Sequence, residues 1–146
     1  MLAPTRELAL QVTGAIRSFA KDTPLRLVTI YGGAIYGPPL RALGSGVPIV
    51  VGTPGRVLDH LERGTLDLSQ LEMLVLDEAD EMLRMGFVED VERVLAASPD
   101  KRQVALFSAT MPPAIRKIAN KHLNDPLEVQ VESEALSASH VRQRWL

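Results

Sequence analysis

Cysteine is absent from this 146-residue chain, which excludes disulfide staples and thiolate metal sites and suits a reducing compartment. Histidine is scarce: His60, His122 and His140 fall at no metal-ligand spacing, so each reads as an ordinary core or surface side chain. An excess of one charge is missing too. Lysine and arginine total 16 against 18 acidic residues, a formal charge of −2. No general basic field advertises a polyanion partner, and any nucleic-acid contact has to be local. The longest apolar runs, such as 47–51, are far too short to span a bilayer, and the chain opens on no basic-then-apolar signal segment. These absences point to a cytoplasmic protein with no membrane partner.

A hydrophobic content of 46% over this length is enough for one domain with a real core and too little for two ordinary ones. Short β-branched runs alternate with helical patterns. Strand candidates lie at 25–31, 48–52, 72–77, 103–107 and 127–131. One helical stripe runs through Leu8, Val12, Ala15 and Phe19, a second through Val88, Val91 and Leu95, and a third through Ile115, Ile118, Ala119 and His122. Alternation of this kind predicts parallel βαβ units, an α/β fold with helices packed on a sheet. Met1-Leu2-Ala3 reads as the tip of an apolar strand whose earlier part lies upstream. After Val131 the pattern fades into polar, small residues, so 1–131 is expected to be the folded part and 132–146 the start of a linker.

The segment Met73-Leu74-Val75-Leu76-Asp77-Glu78-Ala79-Asp80 drives adjacent carboxylates out of the end of a strand. A carboxylate placed there is rigid yet solvated. It can take Mg²⁺ through water while its neighbour orients or deprotonates an attacking water, which suggests nucleotide hydrolysis. The competing explanation is a helix start, because acidic residues favour the first turn. Four further motifs follow strand candidates in the same way: Pro4-Thr5-Arg6-Glu7, Gly32-Gly33, Thr53-Pro54-Gly55-Arg56 and Ser108-Ala109-Thr110. Each alone has a structural explanation as a cap or turn. In an open parallel sheet, however, all would share the carboxyl edge, where ligands bind.

In this order and spacing the motifs resemble those of the DEAD-box family of ATP-dependent RNA helicases, whose name spells Asp77-Glu78-Ala79-Asp80. Pro4-Thr5-Arg6-Glu7-Leu8-Ala9 is similar to motif Ia, Gly32-Gly33 to the GG motif, Thr53-Pro54-Gly55-Arg56 to motif Ib and Ser108-Ala109-Thr110 to motif III. Met82-Leu83 with Gly86-Phe87 matches the segment after the acidic motif. The resemblance covers the chain from Leu2 to about Val131. It implies a partial RecA-like sheet of the P-loop NTPase type, with helices on both faces, and ATP and Mg²⁺ as cofactors of the complete protein. It also implies that Asp77 holds Mg²⁺ through water, that Glu78 activates the attacking water, and that Asp80 couples to Ser108 and Thr110. By the same resemblance Pro4, Thr5, Arg6, Glu7, Gly32, Gly33, Thr53, Pro54, Gly55 and Arg56 grip the sugar-phosphate backbone of single-stranded RNA. Their chemistry suits such a grip, since glycine amides approach phosphates closely, helix N-termini favour anions, and the two arginines add charge.

Departures from the family pattern are as informative. No G-x-x-x-x-G-K-[ST] phosphate cradle occurs in the chain, and none of Lys21, Lys101, Lys117 and Lys121 follows a glycine. The adenine-reading glutamine motif and the second RecA-like domain are also absent. The chain thus reads as the later part of helicase domain one, beginning just after the phosphate loop and inactive as an ATPase by itself. In the family the cradle's strand lies between the motif III strand and the last strand. Both 103–107 and 127–131 are therefore expected either to close up on one another or to self-associate through exposed edges. Three functions stay open: a piece of an RNA helicase, a non-enzymatic RNA backbone-binding module, and a metal-dependent phosphohydrolase using Asp77, Glu78 and Asp80.

Overall fold

The computed structural model describes residues 1–33 and 37–131. Its elements run α1 (Arg6–Phe19), β1 (Leu27–Ile30), α2 (Gly37–Gly44), β2 (Ile49–Gly52), α3 (Pro54–Glu62), β3 (Met73–Leu76), α4 (Ala79–Arg84), α5 (Val88–Ala96), β4 (Gln103–Leu106) and α6 (Pro113–His122). The strands form where β-branched and aliphatic residues run together, and the caps follow the sequence. Thr5 caps α1 by accepting the Leu8 amide at 3.1 Å, and Pro54 opens α3 at a position whose amide needs no partner.

β1 pairs with β2 and β3 with β4, both in parallel. Leu2 joins the two ladders through parallel bridges to Gly52 and Leu76. The order across the sheet is therefore β1, β2, the Met1–Ala3 tip, β3, β4. Four main-chain hydrogen bonds make the splice: the amides of Leu2 and Ala3 donate to the carbonyls of Val75 and Gly52 (2.8 and 3.0 Å), and those of Asp77 and Gly52 donate to Leu2 and Met1 (both 3.0 Å).

Alternating side chains feed two cores, as a sheet with helices on both faces demands. On one face Leu2, Val28, Ile30, Leu74 and Leu76 pack with Val57, Met82, Val91, Val94, Leu95, Ile115 and Ile118 from α3 to α6. On the other, Ala3 and Val51 pack under α1 through Ala9, Leu8, Val12 and Ile16.

The α1 stripe differs from expectation. Ala15 is exposed and Phe19 is 87% exposed, while Thr13 is buried instead. Its hydroxyl lies 2.7 Å from that of Thr29 on β1, which satisfies a polar group that hydropathy alone sends to the surface. A second difference concerns 127–131, which forms no strand. Leu127, Val129 and Val131 are 89%, 77% and 87% exposed. A strand exists only through its neighbours, and among the described residues β4 pairs with β3 alone. Residues 127–131 therefore do not pair with β4, whose second edge has no strand partner among the described residues. The expected linker from Glu132 onward lies outside the described residues.

Candidate functional site

Because every strand points the same way, the residues following each strand share one edge. Pro4 follows the tip, Gly32 follows β1, Thr53 follows β2, Asp77 follows β3 and Ser108 follows β4. Close main-chain contacts fix this rim. The Thr53 amide donates to the Ile30 carbonyl at 3.1 Å, the Phe107 amide to Leu76 at 2.8 Å, and the Ala79 amide to Phe107 at 3.0 Å. Gly52 permits the crowding at the β1–β2 end, since a Cβ there would meet the Ile30 carbonyl oxygen at 2.6 Å. Gly33 has φ 77°, a left-handed conformation that glycine adopts without strain.

At the acidic corner the chain passes from strand to helix within two residues, Asp77 and Glu78. Of the two, Glu78 makes the turn, with φ 51° and ψ 54°, a left-handed conformation that costs a side-chain-bearing residue about 1–2 kcal/mol. Such strain persists where surrounding contacts over-determine it; here the Asp77 and Ala79 amides on either side are both tied into the sheet edge. The Asp77 side chain is half-buried and that of Glu78 exposed. Neither side chain makes a hydrogen bond or ion pair among the described residues.

Asp80 behaves differently. It is 4% exposed, and its Oδ2 accepts both the Thr110 hydroxyl at 2.7 Å and the Thr110 amide at 3.1 Å. The Asp80 amide donates to Ser108 Oγ at 3.1 Å, and that hydroxyl donates to the Thr110 carbonyl at 2.7 Å. The Thr110 hydroxyl bond holds the Asp80 carboxyl below its ordinary pKa, outweighing the burial that pushes it up. Acidic corner and hydroxyl motif are thus one hydrogen-bonded unit.

The remaining positions are less uniform. The Arg6 side chain is exposed and its guanidinium carbon sits 4.9 Å over the Tyr31 ring. Arg56 turns back to Asp59 at 3.5 Å, with its side chain only 13% exposed, so it brings less charge to the rim than its sequence position suggests. Tyr31 was not singled out by sequence; an aromatic between a strand end and Gly32-Gly33 was the available signal. Asp77, Glu78 and Asp80 do not converge as a ligand set: Asp80 is committed to Thr110, and no group of three His, Asp or Glu suited to a metal occurs among the described residues. The phosphohydrolase reading loses its basis there. No helix among the described residues is long and apolar enough to cross a membrane.

Fold and rim together define a RecA-like domain of the P-loop NTPase type, a parallel sheet whose carboxyl edge carries acid, glycine and hydroxyl motifs. Solved structures agree. A DEAD box protein from Methanococcus jannaschii superposes with a TM-score of 0.81 at 50% identity, over 85% of this chain and 34% of that one. A hypothetical ATP-dependent RNA helicase from Sulfolobus tokodaii gives 0.80 at 38% identity, over 85% and 37%. The family model for DEAD/DEAH box helicases matches residues 1–118, and the chain belongs to that family. It is 54% identical over 147 residues to the ATP-dependent RNA helicase DeaD of Mycobacterium tuberculosis H37Rv, covering 100% of this chain and 26% of that protein. Against DeaD of Escherichia coli K12 it is 56% identical over 146 residues, covering 99% and 23%. The chain spans about a quarter of the length of the curated relatives it matches.

Proposed function

We propose that the chain is the RNA-facing and water-positioning part of a cytoplasmic, ATP-dependent RNA helicase whose complete form remodels RNA duplexes or RNA–protein complexes. The observation that carries this reading is the bond set from Asp80 to Thr110 and Ser108, which ties the acidic corner to the hydroxyl motif at the end of the neighbouring strand. Relatives named ATP-dependent RNA helicases support it.

Asp77 fits Mg²⁺ as an outer partner. It is a single carboxylate at a strand tip without a protein partner among the described residues, suited to hold the ion through water. The chain does not fit the triphosphate by itself, because it contains no lysine-bearing glycine loop, and no turnover step is assigned to it alone. In the complete protein Mg-ATP supplies the reacting phosphorus and the charge neutralisation. Asp77 would hold the Mg²⁺ through water, and Glu78, exposed at the turn, would position the attacking water and take its proton. Asp80 passes the state of that corner to Ser108 and Thr110. Pro4 to Glu7, Gly32-Gly33 and Thr53 to Arg56 hold the RNA backbone, with base identity unread.

A second reading rests on the same missing loop: in isolation the chain is a non-enzymatic module that binds single-stranded RNA by its backbone. Filter binding at stepped salt tests the RNA part. Affinity is expected to fall as salt rises and to drop in Arg6→Ala combined with Arg56→Ala; unchanged affinity, or no binding by the wild-type chain, refutes it. RNA-stimulated ATP turnover by the isolated chain, lost in Glu78→Gln, would refute the claim that it is inactive alone.

A further inference from the structure

We propose that Tyr31 is a positioning residue that sets the Arg6 guanidinium for a phosphate of single-stranded RNA; this rests on the RNA-binding reading above. The two residues come from different elements. Arg6 is the first residue of α1, and Tyr31 directly follows β1 and precedes Gly32-Gly33. The guanidinium carbon lies over the ring, 4.9 Å from its centroid, within the range of a cation–π contact.

What the contact leaves free matters as much as what it holds. A cation–π contact holds a guanidinium without a carboxylate or carbonyl acceptor, so its charge is not cancelled and no oxygen acceptor takes the N–H donors that the paired oxygens of a phosphate can use. The Arg6 side chain makes no hydrogen bond or ion pair among the described residues, so none of those donors is spent on protein there. Had a carboxylate oriented Arg6, it would have taken the same donors and cancelled the charge. Tyr31 orients it and leaves both. It is half-buried, which anchors the ring while one face carries the cation. That face is thereby closed to a stacking base, in keeping with a rim that grips backbone and ignores sequence.

Fluorescence polarisation of the full chain with a labelled oligouridylate, at stepped salt, tests this. Arg6→Ala is expected to weaken binding and to reduce the log–log salt slope by about 0.7, one single-strand phosphate contact. Tyr31→Leu is expected to weaken binding about two- to fivefold, Tyr31→Phe to bind like wild type, and Tyr31→Leu to add nothing in the Arg6→Ala background. Arg6→Lys keeps the charge but not the planar fork. It is expected to lose affinity while keeping the slope, and it provides the test if Tyr31→Leu does not fold. Positioning is overturned if Arg6→Ala weakens binding while Tyr31→Leu or Arg6→Lys matches wild type. It is overturned equally if Tyr31→Leu costs the same with and without Arg6, which marks a merely structural ring. Unchanged binding in Arg6→Ala instead overturns the RNA role of Arg6 itself.

Discussion

Replacing Asp80 by alanine removes an acceptor that serves two donors at once, the Thr110 hydroxyl at 2.7 Å and its amide at 3.1 Å. Hydrogen bonds to a charged group contribute about 1.5–3 kcal/mol each. Thr110 is itself exposed, so water recovers part of the loss, and the expected cost is about 3 kcal/mol rather than the upper sum. With a urea m-value of roughly 2 kcal/mol/M, the midpoint should fall by about 1.5 M. The pH dependence gives a sharper check. The Asp80 carboxyl is held below its ordinary value of 3.8, so its ionised form is favoured by folding. Its contribution is full well above pH 3.8 and is lost as pH falls through the depressed folded value. Urea titrations of wild type and Asp80→Ala across that range should therefore converge toward acid. A midpoint difference that stays constant from neutral pH down to below 3.8, or that is already absent at neutrality, refutes the assignment of Asp80 as a charged acceptor.

Three further outcomes follow from the same geometry. Gly52→Ala places a Cβ 2.6 Å from the Ile30 carbonyl oxygen and 2.8 Å from Val57 Cγ2, both inside the core; a loss of about 3 kcal/mol or more is expected in urea unfolding, and a near-neutral effect would contradict the close approach. Glu78→Gly should be more stable than Glu78→Ala by about 1 kcal/mol, because only glycine accepts the left-handed backbone freely; equal stabilities would deny the strain. Finally, the β4 edge that has no strand partner among the described residues and the exposed Leu127, Val129 and Val131 should drive association of the isolated chain. Sedimentation velocity should show mass rising with concentration, and a monomer at all concentrations would refute it.

The alternating pattern revealed four strands within two residues of their ends, because runs such as Leu27–Ile30 and Met73–Leu76 are aliphatic enough to identify themselves. Segment 127–131 carries the same kind of pattern and fails, since periodicity encodes willingness to pair and says nothing about an available partner. The α1 face was misjudged for a related reason. Thr13 is buried because Thr29 waits opposite it, a long-range fact that no local hydropathy contains. At the rim, residue types and spacing indicated which side chains share an edge. They did not indicate the left-handed turn at Glu78, the Arg56–Asp59 pair or the ring beneath Arg6, each of which depends on backbone angles or on neighbours brought close by folding.

The splice made by Met1, Leu2 and Ala3 has a mechanical meaning. Its amides and carbonyls clasp Gly52 on one flank and Val75 and Asp77 on the other, so a narrow keel of backbone registers the half that carries Thr53 against the half that carries Asp77 and Glu78. Both flanks are thereby tied to one three-residue segment through main-chain atoms alone, so their register is independent of side-chain identity.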